Sequence, residues 1–133
     1  MIIGIGTDVI QIPRIEKILK LHPTLFINKY FTQEEFKKYQ TQNLTQRQLA
    51  SKYAKLFSAK EAFVKALGTG FRFGINLNDI EILSNELGKP YIKINGLTKD
   101  YVTKSFGENL HFNISLSDDY PTAIAFVIIE KEN

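Results

Sequence analysis

The chain contains no cysteine and only two histidines among its 133 residues. Without Cys there are no disulfides and no thiol nucleophile, and the composition fits a reducing compartment, so a cytoplasmic location is expected. No apolar run approaches the roughly 20 residues that span a bilayer, and no membrane partner is expected. The start, Met1-Ile2-Ile3-Gly4, lacks the positive region of a signal peptide and reads as the first strand of a fold. The net charge of +3 is mild. With no Arg-rich run and no aromatic nucleotide-stacking strand, a nucleic acid partner is not expected. A small Lys excess describes either an ordinary solvated surface or a chain that meets an acidic partner, a phosphate-rich small molecule or an acidic protein. The length suits one domain, residues 1–133, with a single core.

What the chain does have is a change of pattern half-way along. Residues 2–12 are rich in β-branched side chains and read as a strand interrupted by Gly4 and Gly6. Glycine within a strand marks a bulge or a close backbone approach, so Asp8 is expected where the strand loses regularity. Pro13 opens a helix to about Leu21. Ile15, Ile18 and Leu19 form its apolar side, while Arg14, Lys17 and Lys20 make the other side basic. Thr32 and Glu35 have capping-box spacing for a helix reaching Tyr39 or Gln40. After a polar loop, Thr45 caps a long helix from Gln46 to Leu67 that Gly68 closes. Residues 79–83, 90–94, 110–116 and 122–130 then read as strands, with a hairpin turn at 85–89 and a short helix at 97–106. The nearly continuous apolar run 123–129 suggests a central strand buried on both faces. The fold class is therefore α+β: a mainly antiparallel sheet packed against a long helix, with helices concentrated in the N-terminal half.

The segment Phe57-Ser58-Ala59-Lys60-Glu61-Ala62-Phe63-Val64-Lys65-Ala66-Leu67-Gly68-Thr69-Gly70 holds the candidate chemistry. On a helical wheel Glu61 falls among Ala50, Ala54, Phe57 and Val64, with Arg47 and Lys65 flanking it. One reading is a surface Glu–Lys pair at i, i+4, worth a few tenths of a kcal/mol. The other is a carboxylate facing a pocket, with the Gly68-Thr69-Gly70 backbone near enough to meet an anion. Asp8 is the natural second carboxylate. Two carboxylates, with few His and no Cys, suit a hard cation such as Mg²⁺. Asp8 read alone is equally a turn residue, and Gly-Thr-Gly equally a helix stop. No Walker motif is present, and Ser115 and Ser117 lack a nucleophile-elbow context.

Three blocks resemble the small bacterial holo-acyl-carrier-protein synthases, the trimeric class of 4′-phosphopantetheinyl transferase. They are Gly4-Ile5-Gly6-Thr7-Asp8-Val9 with Arg14, the segment 57–70, and Asp79-Ile80-Glu81-Ile82 through Gly88-Lys89-Pro90. The resemblance implies that Asp8 and Glu61 hold Mg²⁺ against the pyrophosphate of coenzyme A. It makes Lys65 the neutralising cation at the transferring phosphoryl group, with Asp8, Glu61 and Lys65 as the catalytic set. Lys65, Gly68, Thr69 and Gly70 would contact the coenzyme. A serine of apo acyl carrier protein would be the acceptor, with 3′,5′-ADP released, and either Glu61 or a metal-bound water takes its proton. Arg14, Lys17 and Lys20 would steer the acidic carrier, and each site would lie between subunits of a homotrimer. Two positions depart from the family pattern: Leu56 stands where Arg is usual, and Asp118 where His is usual. Lys55 and Arg72 are the candidate replacements for that lost charge, and a binding subunit without catalysis is the competing reading.

Overall fold

The computed structural model describes all residues from 1 to 133. Its elements run β1 (Ile2–Gln11), α1 (Ile12–Leu21), α2 (Pro23–Tyr30), α3 (Gln33–Gln40), α4 (Gln46–Leu67), a 3₁₀ turn (Leu77–Asp79), β2 (Ile80–Ser84), β3 (Pro90–Ile94), α5 (Gly96–Phe106), β4 (Leu110–Asp119) and β5 (Thr122–Lys131). The α+β class expected from the sequence is what the chain adopts. β5 lies at the centre of an antiparallel sheet of order β1-β5-β4, and β2 and β3 form a separate hairpin.

The long helix α4 is the axis of the core. Thr45 caps it through the Gln48 amide (3.1 Å), and the Gln48 side chain accepts from the Thr45 amide in return (2.9 Å). Gly68 ends it in the left-handed conformation, φ 76°, which an L side chain adopts only at a cost. Ala59, Ala62 and Ala66 form a buried small-residue stripe along the C-terminal half of α4. Small residues let a sheet approach closely, and β1 uses that freedom. A Cβ placed on Gly6 would overlap the carbonyl oxygen of Ala62, and one on Gly4 would overlap that of Ala66. The two glycines are therefore close-approach positions. The expected irregularity at Asp8 is absent: Asp8 pairs in register with Ala125, and the one shift in β1 lies between Ile2 and Gly4.

One element lies outside the expectations, and one further expectation changes. Residues 23–30, to which the sequence reading assigns no element, form α2. It has Pro23 in its first turn and one buried side chain, Phe26, set edge-on against Tyr30 and Phe31. β5 is not buried on both faces. Ala123, Ala125, Val127 and Ile129 face α4, while Ile124 and Phe126 are exposed on the other side. Their ladder neighbours continue that outer face as Ile5–Ile128–Asn113, Thr7–Phe126–Ser115 and Val9–Ile124–Ser117. Ile5 and Val9 are both exposed there, so β1 and β5 present an apolar strip on the outer surface, bordered by the polar Asn113, Ser115 and Ser117 of β4.

Candidate active site

The close crossing of β1 and α4 brings three of the sequence-derived residues together. Asp8 lies on the α4 side of β1, with a side chain 16 % exposed. The buried Ser58 hydroxyl, on α4, lies 3.0 Å from Asp8 Oδ2 and 2.9 Å from the Asp8 carbonyl oxygen and donates between them. Lys65 Nζ donates to Asp8 Oδ1 at 3.1 Å. The i, i+4 pair of Glu61 with Lys65 does not form; Lys65 reaches across to the strand instead. Glu61, half-buried one turn before Lys65, has no ion-pair partner within 4 Å. Burial pushes its carboxyl above the ordinary Glu range, the charge of Asp8 adds to that push, and Lys65 opposes it. A half-buried carboxylate whose ionisation a second carboxylate makes costlier is an arrangement that a cation relieves.

Glu61 also borders a cavity of about 390 Å³, walled by Tyr30, Phe57, Phe71, Ile75 and Leu77, with Lys29 at its edge. Beyond α4, the glycine segment is open. Gly70 has φ 62°, and nothing lies within 4 Å of where a Cβ would sit on Gly68 or Gly70. The Gly68 amide is committed to the helix end, donating to the carbonyls of Lys65 and Val64. The Thr69 side chain turns inward and its hydroxyl donates to the Gly70 carbonyl at 2.8 Å. What this segment offers an anion is therefore backbone.

The remaining candidates lie apart. Arg14, Lys17 and Lys20 are exposed along α1, whose other side packs Ile12, Ile15 and Leu19 into the core. Arg47 does not face Glu61; its guanidinium sits 3.9 Å over the ring of Tyr120. Asp118 holds Lys55 at 2.9 Å, and Arg72 Nε is spent on the Thr69 carbonyl at 3.0 Å. Leu56 is buried in the wall of a second cavity, about 420 Å³, where Lys38, Lys52 and Lys55 converge. Burial, and then the charge of Lys52, pull Lys38 below the usual lysine range. Lys38 and Lys52 escaped the sequence reading because they come from α3 and α4, and only the fold makes them neighbours.

A model of the 4′-phosphopantetheinyl transferase superfamily matches residues 4–125. The chain belongs to that superfamily. Among its transferase relatives, the holo-[acyl-carrier-protein] synthase of Wolbachia pipientis is 48 % identical over 132 residues, covering 97 % of this chain and 98 % of the relative. The crystal structure of holo-ACP-synthase from Plasmodium yoelii superposes with TM-score 0.84 at 33 % identity, over 100 % of this chain and 98 % of that one. The Bacillus anthracis holo-(acyl-carrier-protein) synthase, solved in complex with CoA (3′,5′-ADP), gives 0.79 at 29 % identity over 99 % of both.

Proposed function

We propose that this chain is a holo-acyl-carrier-protein synthase acting as one transferase domain. It moves 4′-phosphopantetheine from coenzyme A to a serine of an apo acyl carrier protein. The serine oxygen bonds to the transferred phosphorus, the bond to the nucleotide oxygen breaks, the serine proton leaves, and 3′,5′-ADP departs. The observation that carries the reading is the meeting of Asp8, Glu61 and Lys65 at the β1–α4 crossing, in a chain matched along its length by synthases of this kind.

Asp8 and Glu61 would hold Mg²⁺. The donor set suits it: nowhere does the chain gather three or more His, Cys, Asp or Glu side chains into a cage, and magnesium takes one or two carboxylates and keeps water and phosphate oxygens for the rest. Bound there, the ion would compensate the charge on the diphosphate oxygens during transfer. The residues supply the positioning. Ser58 fixes the Asp8 carboxylate, and the half-exposed Lys65 ammonium at 3.1 Å from Asp8 is within a side-chain rotation of any phosphoryl oxygen held there. The amides of Thr69 and Gly70 can meet another. Lys38, Lys52 and Lys55 would take the remaining coenzyme phosphates, replacing the charge that Leu56 and Asp118 do not provide. The exposed Arg14, Lys17 and Lys20 face would guide the acidic carrier, and its salt-screened attraction would act mainly on association.

The apolar strip on the outer face of the β1-β5-β4 sheet supports a homotrimer with sites between subunits, since Ile5, Val9, Ile124 and Phe126 stand open to solvent in the single chain. The chain has no helix long and apolar enough to cross a membrane, and a cytoplasmic location is part of the proposal. The decisive experiment incubates the purified protein with coenzyme A, Mg²⁺ and apo carrier and measures the carrier's mass. A gain of one phosphopantetheine is expected, and chelation of the metal should prevent it. No gain with a carrier that a known synthase modifies would overturn the reading.

A further inference from the structure

Lys60 precedes Glu61 in the chain, about 100° round the helix from it, and nothing in the transfer itself uses it. Its side chain is entirely buried, as is that of Glu35 on α3. Lys60 Nζ donates to Glu35 Oε1 at 2.6 Å and to the Leu77 carbonyl at 3.0 Å, and it sits 5.1 Å from the centre of the Phe31 ring. Glu35 in turn accepts from the Ile82 amide through Oε2 and from the Thr32 amide through Oε1, both at 3.0 Å. One ion pair thus joins α3, α4, β2 and the 3₁₀ turn at a single buried point.

Two of those attachments reach the surroundings of Glu61. Leu77 is itself a wall of the cavity that Glu61 borders, and Phe31 follows Tyr30, another wall. The 68–76 segment carrying Phe71 and Ile75 has to return from the end of α4 to that 3₁₀ turn. The bond from Lys60 to the Leu77 carbonyl fixes the far end of this return to the residue beside Glu61. A buried ion pair is a poor source of net stability, because desolvation offsets its attraction. Net stability alone therefore does not account for the pair.

We infer that Lys60 and Glu35 are positioning residues: they set the Glu61 carboxylate and the cavity wall opposite it at a fixed separation, so that Glu61 and Asp8 can share one divalent cation. The inference rests on the metal role proposed above for Glu61. Side chains behind a metal ligand typically govern affinity by about 10–100-fold, and misplacement near 1 Å can cost about 10²-fold in rate.

The test replaces both partners, Glu35→Met with Lys60→Met, which removes both buried charges at once and leaves only the Thr32 and Ile82 amides and the Leu77 carbonyl without these partners. Mn²⁺ serves as the probe, its binding followed by electron paramagnetic resonance with coenzyme A present. The folded double variant should bind Mn²⁺ about tenfold or more weakly and lose kcat in similar proportion. Its KM for carrier protein should stay unchanged, because α1 is untouched. A folded variant with wild-type Mn²⁺ affinity and kcat would reduce the pair to a structural tie and overturn the inference. Should the double variant fail to fold, the isosteric Glu35→Gln decides by the same two readouts and the same criteria. The wild-type protein run alongside separates the two levels. If it neither binds Mn²⁺ nor modifies carrier, the functional reading falls and this inference with it. If wild type and folded variant do both equally well, the inference alone falls.

Discussion

At the scale of single residues, the site is a contest among three charges. Asp8 is tied by Ser58 and Lys65, whereas Glu61 is left with burial and a like charge for company. Glu61→Gln should lower transfer by about 10²-fold or more, the usual cost of deleting one preorganised charge-handling group, without unfolding the protein. Its stability carries a second signature. The Glu61 carboxyl lies above the ordinary value of 4.5 in the folded chain, so the fold binds that proton more tightly than the unfolded chain does. The associated stability is full below 4.5 and is lost as pH rises through the raised value. With chelator present, Glu61→Gln should therefore melt above wild type at neutral pH, and the gap should close on acidification. Melting curves that stay parallel from about pH 4 to 8 would contradict the assignment. An acid in an apolar helical run must find a partner, which singled out Glu61. Its grouping with Asp8 and Lys65 came from the resemblance of residues 4–9 and 57–70 to a known family rather than from spacing. Of the two readings of Lys65, the surface pair with Glu61 does not form, since helical spacing reports neighbours on one helix and says nothing of a strand crossing it. Lys60 was passed over for a related reason. Lysine is seldom fully buried, and no spacing in one chain announces that Glu35 lies 2.6 Å away in space.

At the scale of elements, Gly4 and Gly6 decide how near β1 comes to α4, and hence whether Asp8 meets Ser58 and Lys65. Gly6→Ala would drive a methyl group into the backbone carbonyl of Ala62, an atom with no rotamer to escape through. We expect a loss of about 3 kcal/mol or more, at the upper end of overpacking, read by urea denaturation. The fraction that remains folded should have weakened activity, because Asp8 retreats with its strand. Wild-type stability in this variant would mean the crossing is looser than the geometry indicates. The capped elements were the readable ones: the reciprocal Thr45–Gln48 bonds, the Gly68 stop and the Asn85 turn, whose side chain accepts from the Leu87 and Lys89 amides at 2.9 Å. α2 was not readable because it owes its existence to partners elsewhere. With one buried residue and no side-chain cap, it is held by aromatic packing of Phe26 against Tyr30, Phe31 and Phe57.

At the scale of the molecule, the apolar run of β5 described two environments while the single chain supplies one. Ala123, Ala125, Val127 and Ile129 meet α4, whereas Ile124 and Phe126 remain 41 % and 38 % exposed. The doubly buried strand inferred from the run would be correct for an assembled protein, in which a second copy covers the outer face. If the proposed trimer forms through this face, Ile124→Asp should leave the single chain folded, yet yield monomers by light scattering and abolish transfer with the loss of assembly. An unchanged mass in solution would remove that face from the interface. β1 serves both faces at once: Gly4, Gly6 and Asp8 turn toward α4, while Ile5, Thr7 and Val9 line the outer surface. Because a strand's sides alternate residue by residue, deleting or inserting one residue before Asp8 would exchange the two sets, turning the carboxylate outward and pressing isoleucine into the glycine contacts. This strand can thus change during evolution by replacement but hardly by a shift in length, and the polar 41–45 connection before α4 is where gaps between relatives should accumulate instead.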